Sequence, residues 1–439
     1  MLCLLVLLGI MRVFFGIFAF LFLCLSLRAK PLEVSVCVPT AILINAETGA
    51  VLFEKEANKP CFPASTTKIA TALFAIKLMQ GRENQLMRAN YSALVSITPQ
   101  AKKQSNYRSP PHLLETDGTH MSLKKGEELP FYELLSGMLV GSANDAANVI
   151  ADNLGPTIPK FMERLNAYLK EIGCSHTHFL NPHGLHHPDH VTTASDLALM
   201  AQEAMKEPVF REIVAKSCHT CPQSNLEYIR YLRQTNLLLR RGVYFYPEAI
   251  GIKTGTTKAA GKTMVSAAQK EGRILIGVVL GATHNQERYG STKALFDAAF
   301  SEKKKRRVFL KPGITPIKTK VAHGKGLLTT QLPHGLYYDF FPSEESPLIV
   351  KVSFETLIPP IGKGDVVGAV DIMDEQEIIL KRTLLLSATD LKPTRLYQLT
   401  TIIKARRQPL FWVISVFFLL ILTVFLSRKK RSSRSRPLF

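Results

Sequence analysis

Strand-forming segments lie on both sides of a long helical stretch, and this order constrains the fold more than any other feature of the chain. Apolar runs bounded by turn residues occupy 41–44, 50–53, 250–254, 263–268 and 274–280. Helical patterns occupy 65–80, 131–139, 146–153, 194–205 and 291–300. A sheet that takes strands from both ends of this region must carry the helices as an insertion. The order therefore predicts an α+β domain with a cleft where the sheet and the helices meet.

Three short motifs occur in this region, each in a different predicted element. They are Ser65-Thr66-Thr67-Lys68 at the start of a helix, Ser142-Ala143-Asn144 in a loop between helices, and Lys253-Thr254-Gly255 at the end of a strand. They are so far apart along the chain that only tertiary folding can bring them together. Serine, lysine and amide side chains that converge on one cleft are what acyl transfer through a serine nucleophile with a lysine base requires.

The first motif has the residues of an activated nucleophile. Ser65 begins a predicted helix, where free backbone N–H groups favour developing negative charge, and Lys68 projects from the same face. The residues after Lys68 are nearly all apolar, so we expect the helix and its lysine to be buried. Burial and a second nearby cation lower the pKa of a lysine, which can then act as a base. The alternative is that Ser65 only caps the helix and that Lys68 extends to solvent.

The other two motifs supply groups that could enter the same cleft. Ser142 and Asn144 offer a hydroxyl and an amide, Lys253 is the candidate second cation, and Gly255 removes a side chain where a substrate backbone could lie alongside the strand. Taken alone, these two motifs are also compatible with a helix cap and a turn at the end of a strand.

Both ends of the chain have the composition of membrane-related segments. Residues 1–29 are almost wholly apolar and are predicted to be a signal peptide, with an uncleaved anchor as the alternative. Residues 410–426 carry no charge and are predicted to form a transmembrane helix. The basic tail at 427–439 indicates a cytoplasmic end, which would place the catalytic domain outside the cytoplasmic membrane, in the periplasm or another extracytoplasmic space.

The net charge of +20 does not indicate nucleic-acid binding. Much of it lies in the tail, around 404–407 and in the run 303–307, positions that suit anionic lipids or a solvated linker. No nucleic-acid motif accompanies it. The run 303–307 also marks a boundary, because short β-branched runs separated by Pro and Gly follow it and predict a small β domain at 308–395.

Two further groups of side chains are weaker candidates for a site. Six histidines lie between 176 and 190, but their spacing matches no standard set of metal ligands, so no metal is predicted. Cys218 and Cys221 have redox spacing without a thioredoxin-like unit around them. A local disulfide or two inert thiols are therefore expected.

Together these residues resemble the low-molecular-mass penicillin-binding proteins, which are D-alanyl-D-alanine carboxypeptidases. Beyond the three motifs, the resemblance includes 41–63, 181–185, 193–196, 235–238, 259–261, 279–282, Arg288 and 357–368. It implies a penicillin-binding/β-lactamase-like domain, an antiparallel sheet with a helical insertion, at 30–302. It also implies the small β domain and no cofactor.

Carried over residue by residue, the resemblance implies a role for each motif position. The implied catalytic residues are Ser65 as nucleophile, Lys68 as its base, Ser142 as proton relay, Asn144 as the residue that holds the peptide and orients Lys68, and Lys253 as the electrostatic group. The implied substrate-binding residues are Thr254, Gly255, Thr256 and Arg288, of which the two threonines and the arginine would receive the terminal carboxylate. The expected partners are peptidoglycan stem peptides, β-lactams that acylate Ser65, and the membrane.

Three departures from the family pattern and three rival functions stay open. The departures are Ala143 where glycine is common, an enlarged loop at 102–120, and a full membrane span. A β-lactamase would need a glutamate to activate the deacylating water, and Glu163 with Asn166 is an incomplete match. A D,D-endopeptidase would use the same three motifs on internal cross-links, and a non-catalytic scaffold would keep the fold and bind the cell wall without cleaving it.

Overall fold

The structure is a computed structural model that describes residues 29–432. Within this range the chain divides into two compact units, one of residues 29–304 with 341–345 and one of residues 305–340 with 346–432. The predicted signal peptide lies outside the described residues except for Ala29.

The elements of the first unit are numbered in chain order. The strands are β1 (Thr40–Asn45), β2 (Val51–Lys55), β3 (Leu86–Arg88), β4 (Ser96–Ile97), β5 (Leu114–Glu115), β6 (Glu128–Pro130), β7 (Cys218–Cys221), β8 (Arg230–Arg233), β9 (Ala249–Thr257), β10 (Gly261–Lys270) and β11 (Arg273–Ala282). The helices are α1 (Lys68–Met79), α2 (Tyr91–Leu94), α3 (Pro99–Gln104), α4 (Phe131–Leu139), α5 (Asn144–Leu154), α6 (Ile158–Glu171), α7 (Ala194–Ala204), α8 (Pro208–Val214) and α9 (Asn285–Phe300). Short 3₁₀ turns are Ala64–Thr67, Leu237–Leu239 and Pro342–Glu344.

Five strands form the central antiparallel sheet of this unit, in the order β2-β1-β11-β10-β9. β1 pairs with β11, with Ile42 opposite Val278, so strands from the two ends of the unit are neighbours. β9 pairs with β10 and lies at the edge of the sheet. The predicted α+β domain, with its helices inserted between the strands, is confirmed.

Helix α1 lies at the centre of the helical part. It is buried almost all round, since ten of its 12 residues are buried, including Lys68. The helix begins at Lys68 rather than at Ser65 because residues 64–67 form a 3₁₀ turn. One apolar core surrounds α1 and the inner face of the sheet, and a second lies between the sheet and α9. The first motif thus lies where the sheet and the helices meet.

The second unit is built around another antiparallel sheet. Its elements are β12 (Lys305–Leu310), β13 (Gly313–Lys320), β14 (Leu327–Leu332), β15 (Leu336–Phe340), β16 (Ile349–Phe354), β17 (Val366–Met373), β18 (Ile379–Ser387) and α10 (Arg395–Ser432). Five strands follow the order β13-β14-β18-β17-β16, and β12 pairs with β15. Leu328, Val370 and Leu385 are fully buried in its core.

The uncharged run at 410–426 is part of α10. Among residues 29–432, however, no helix is both long and apolar enough to cross a membrane. The structure therefore does not support the predicted membrane span.

Candidate active site

The turn that carries Ser65 is held by contacts with distant residues. Ala64, immediately before the serine, has a left-handed backbone with φ of 50°, a conformation that non-glycine residues rarely adopt. Its carbonyl accepts a hydrogen bond from Thr67 Oγ1 at 2.9 Å. Gly184 packs so closely against this carbonyl that an added Cβ would lie 1.9 Å from it. The unusual backbone at the nucleophile is thus enforced by its surroundings.

Strand β9 passes directly beside this turn. A Cβ on Gly255 would lie 2.8 Å from the backbone nitrogen of Ser65 and 2.4 Å from Thr263 Oγ1. Only glycine therefore allows the strand to approach the nucleophile. From the sequence, Gly255 was predicted to leave space for a substrate backbone. The structure shows a second reason for a glycine here, which is the close approach of the Ser65 backbone.

Lys68 is fully buried and contacts one group from each of three segments. Its Nζ lies 3.0 Å from Ser65 Oγ, 2.7 Å from Asn144 Oδ1 and 2.7 Å from the carbonyl oxygen of His183. A neutral amine has two N–H donors and one lone pair. The donors fit Asn144 Oδ1 and the His183 carbonyl, which can only accept, and the lone pair is left for the Ser65 hydroxyl. The geometry is that of a lysine base next to its serine.

Lys253 joins the second and third motifs. Its Nζ donates hydrogen bonds to Ser142 Oγ at 3.0 Å and to the carbonyl of Thr254 at 2.9 Å, and the side chain is fully buried. Ser142 has φ of 63°, so its loop also has a strained backbone. The three motifs therefore form one continuous set of contacts.

Both lysines have lowered pKa values. Burial, followed by the charge of Lys253, lowers the pKa of Lys68 well below its ordinary value, and Asp145 partly opposes this. Burial and the charge of Arg288 lower the pKa of Lys253 to about 7. Desolvation penalises each ammonium, and the neighbouring cations repel it further. A lysine in this cleft can therefore lose its proton near neutral pH.

Arg288, on α9, is a buried cation without an acidic partner among residues 29–432. It is 6% exposed, and its guanidinium donates to the carbonyls of Gly255 at 3.3 Å and Thr263 at 3.4 Å. Further contacts go to Asn285 Oδ1 and the Tyr289 hydroxyl, while Nε has no hydrogen-bond partner in the described part of the chain. A buried charge without a counter-ion is costly. This arrangement favours binding of an anion beside β9.

Thr254, in the third motif, and Thr256, immediately after it, also contact neighbouring groups. Thr254 donates from Oγ1 to Thr235 Oγ1 at 2.8 Å, and Thr256 donates to the carbonyl of Gly255 at 2.7 Å. All nine residues that the sequence singled out thus lie in one continuous site. They are Ser65, Lys68, Ser142, Asn144, Lys253, Thr254, Gly255, Thr256 and Arg288.

Sequence reasoning missed several supports of the site. The Asp145 carboxylate accepts hydrogen bonds from the backbone of Met121 and Leu123, each at 3.0 Å, and so fixes the segment before α4. The His183 carbonyl and the Thr235 hydroxyl were also not predicted as contacts. A carbonyl that accepts from Lys68 leaves no side-chain signal. For Asp145, the only signal in the sequence was its position as an acidic residue directly after Asn144.

The enlarged loop at 102–120 packs against the second motif. Lys102 is buried and pairs with Glu115 at 2.9 Å, and the carbonyl of His112 accepts a hydrogen bond from Asn148 at 2.8 Å. A Cβ on Gly118 would lie 2.9 Å from Asn144 Nδ2. The loop therefore packs directly against the Asn144 side chain.

The histidine-rich segment at 176–190 plays a structural role in this unit. Within the described range 29–432, no group of His, Cys, Asp and Glu side chains is arranged to hold a metal ion. His190 stacks on Phe179, contacts Thr67 Oγ1 at 2.9 Å and accepts from the backbone of Leu180. Burial lowers its pKa to about 3, so it is neutral. It helps to hold the turn that carries Ser65.

Cys218 and Cys221 are both free thiols, so the local disulfide that the sequence allowed is not formed. The reason is their position on β7, where residues an odd number apart project to opposite faces. Cys218 is exposed, whereas Cys221 is buried. Burial raises the pKa of Cys221 to about 12, as expected of an inert thiol.

Known proteins are similar to this chain in both sequence and fold. Over 349 residues the chain is 29% identical to D-alanyl-D-alanine carboxypeptidase DacF of Bacillus subtilis, with 77% of this chain and 82% of that protein covered. It is 33% identical to DacB2 of Mycobacterium tuberculosis over 54% of this chain and 72% of that protein. The solved structure of penicillin binding protein 5 from Haemophilus influenzae matches with a TM-score of 0.55 at 22% identity, over 83% of this chain and all of that one.

The family profile gives the same result. Residues 28–284 match the profile of peptidase family S11, described as D-alanyl-D-alanine carboxypeptidase. The matched region contains all three motifs and the strands and helices that bring them together. The chain therefore belongs to the D-alanyl-D-alanine carboxypeptidase family.

Proposed function

We propose that the chain, a serine peptidase of this family, removes the terminal D-alanine of peptidoglycan stem pentapeptides through an acyl-enzyme on Ser65. The observation that carries the assignment of roles is the placement of Lys68 Nζ 3.0 Å from Ser65 Oγ, with its two other contacts both acceptors. Lys68 takes the proton from Ser65 as Oγ attacks the carbonyl of the penultimate D-alanine. The amide C–N bond breaks, and the leaving D-alanine amine is protonated. Water then hydrolyses the ester and regenerates Ser65.

The other residues stabilise and position the reacting groups. Backbone N–H groups of Ser65 and Thr256 form the oxyanion hole. Ser142, hydrogen-bonded to Lys253 at 3.0 Å, relays the proton to the leaving amine. Asn144 orients Lys68 and holds the peptide. The contacts of Ser142 with Lys253 and of Asn144 with Lys68 support the roles proposed for these two side chains.

The terminal carboxylate binds Arg288, with help from Thr254 and Thr256. The guanidinium is buried and lacks an acidic partner in the part of the chain that the structure describes, and it already contacts the carbonyl of Gly255 on β9. A bound carboxylate would neutralise it and offer bidentate geometry. A β-lactam carries a similar carboxylate and acylates the same serine. Its adduct stays attached because no leaving group departs.

The direct test is product analysis with a synthetic pentapeptide that ends in D-Ala-D-Ala. Wild-type protein should release one D-alanine, detected by mass spectrometry, and should be labelled by penicillin at Ser65. Ser65→Ala should lose both activities while melting at the same temperature. If labelling maps to another serine, or if wild-type protein releases no D-alanine, the assignment of Ser65 is wrong.

The geometry disfavours a β-lactamase. Glu163, the nearest match to a deacylating glutamate, lies on α6 with 67% of its side chain exposed and pairs with Lys160. Asn166 is engaged with the backbone of Phe179. Neither side chain contacts Ser65 or Lys68. We therefore expect hydrolysis of bound β-lactam to be slow, which release of acylated protein over time would measure.

The location outside the cytoplasmic membrane is part of the proposal, and its support is the substrate, which is a cell-wall peptide. The apolar segment 1–29 is the sequence feature that supports export. The basic tail predicts a cytoplasmic end, a prediction that needs a span and that no helix in the described range supports. Protease added to cells with a permeable outer layer should digest the catalytic unit and spare a tag at the C-terminus. Digestion of both would contradict the retained tail, and protection of both would contradict export.

A further inference from the structure

The guanidinium of Arg288 contacts four acceptors, and each of them is neutral. Nη1 donates to the carbonyls of Gly255 at 3.3 Å and Thr263 at 3.4 Å. Nη2 donates to Asn285 Oδ1 at 2.9 Å and to the Tyr289 hydroxyl at 3.2 Å. The contact with Asn285 is the shortest of the four. The amide of Asn285 is therefore the side chain that does most to fix the direction of the guanidinium.

Helix geometry brings these two side chains together. Asn285 is the first residue of α9, and Arg288 follows three positions later. Residues three apart project from the same face of a helical turn. Asn285 is half-buried, whereas Arg288 is buried. Their contact is therefore built into the first turn of the helix, beside the place where a substrate carboxylate would bind.

The acidic residue in the same turn is turned to a different task. Glu287 directly precedes Arg288, but its carboxylate accepts hydrogen bonds from the backbone nitrogen and the hydroxyl of Thr283, both at 2.8 Å. Glu287 thus caps the start of α9. The first turn contains a carboxylate and an amide, and the amide is the group that contacts Arg288.

The choice of an amide at 285 has a consequence for the charge of the site. Asparagine and aspartate have almost the same size and shape, and both offer an oxygen acceptor. An aspartate would also give the buried cation a counter-ion, which would lower the cost of burying it. That same pair would compete with any carboxylate arriving from outside. An amide orients the guanidinium and leaves its charge for the substrate.

We infer that Asn285 is a positioning residue that sets the specificity for a free C-terminal carboxylate, because it holds the Arg288 guanidinium in place and leaves its positive charge uncompensated. The inference rests on the proposed roles of Ser65 and Arg288. Asn285 acts through Arg288 and takes no part in the bond-breaking steps. The folded protein carries the cost of a buried charge, and binding of the substrate carboxylate offsets it.

The test uses two variants of Asn285 and one matched control. Asn285→Asp adds a charge at the contact, and Asn285→Ala removes the contact without adding a charge. Gln286→Glu is the control, since Gln286 is the exposed neighbour and the change adds the same charge to the same helical turn. Each protein is assayed for kcat/KM on a pentapeptide that ends in free D-Ala-D-Ala and on the same peptide amidated at its end, and its melting temperature is measured.

Asn285→Asp should lower kcat/KM on the free acid by about 10- to 100-fold and change it by about threefold or less on the amide. It should also raise the melting temperature by about 2 °C or more, because the buried cation gains a counter-ion. Asn285→Ala should lower kcat/KM on the free acid by about three- to tenfold, mainly through KM, since the charge stays but its direction is less fixed. Gln286→Glu should stay within about twofold on both peptides.

A gain in stability together with a selective loss on the free acid is a result that a purely structural role would not give. Equal losses on both peptides, or unchanged activity of Asn285→Asp on the free acid, would overturn the inference. A lowered melting temperature of Asn285→Asp, or the same selective loss in Gln286→Glu, would also overturn it. If Asn285→Asp does not fold, a normal preference of Asn285→Ala for the free acid would refute the positioning role. If wild-type protein releases no D-alanine, the proposed function itself fails, and the inference fails with it.

Discussion

Replacing Arg288 with alanine should separate recognition of a free chain end from the chemistry at Ser65. Arg288 is 6% exposed, and its guanidinium has no acidic partner within the described residues. A substrate carboxylate bound there would make charge-assisted hydrogen bonds shielded from solvent. Truncating one partner of such a pair costs about 2–4 kcal/mol, which corresponds to about 30- to 1,000-fold in kcat/KM.

The assay compares a peptide that ends in free D-Ala-D-Ala with the same peptide amidated at its end. Arg288→Ala should cause the full loss on the free acid and a change of about threefold or less on the amide, because the amide never offered the charge. Arg288→Lys retains a charge without the planar fork and should lie between the two.

Arg288 also contacts the backbone of Gly255 and Thr263 at 3.3 and 3.4 Å, so truncation could disturb β9. Thermal melting of each variant and activity on the amide detect such a disturbance. Equal losses on both peptides would show that Arg288 supports the strand, and the proposed carboxylate site would be refuted.

Three further predictions concern the nucleophile and its base. Lys68→Arg should slow acylation by penicillin by about 10²- to 10⁴-fold, since arginine keeps its proton; a normal rate in stopped-flow labelling would assign the base elsewhere. The base works only when deprotonated, and burial with the nearby charge of Lys253 lowers the pKa of Lys68 well below its ordinary value. Acylation should therefore rise with pH through that lowered pKa, and a rate that rises only above about pH 9, towards the ordinary lysine value, would contradict this. Gly255→Ala should lower acylation by at least about tenfold, since a Cβ would lie 2.8 Å from the Ser65 nitrogen; retained acylation at wild-type rate would show that β9 can move away freely.

Much of the site could be predicted from residue types and order alone. Ser65 and Lys68 are close because only two residues separate them, in a 3₁₀ turn that leads directly into α1. The apolar residues after Lys68 indicated that the lysine is buried. Strand periodicity and the two-ended distribution of strands predicted the sheet that carries Lys253. These features are local, since they depend on spacing within an element.

The connections between the motifs could not be predicted in this way. The 2.7 Å contact from Lys68 to the His183 carbonyl and the buried Asp145 that holds the segment at 121–123 involve backbone groups, which look alike in every sequence. Similarly, the spacing of Cys218 and Cys221 allowed a disulfide that the opposite faces of β7 exclude.

The sequence by itself determined the reacting groups, their order and the α+β arrangement, because local propensity and apolar periodicity act over a few residues. Only the tertiary structure decided the pKa values of the two lysines and the burial of Arg288 away from any acidic partner in the described part of the chain. Those properties depend on desolvation and on charges brought together from distant segments. Desolvation and charge–charge interactions act through space, so the properties that depend on them exist only once the chain has folded.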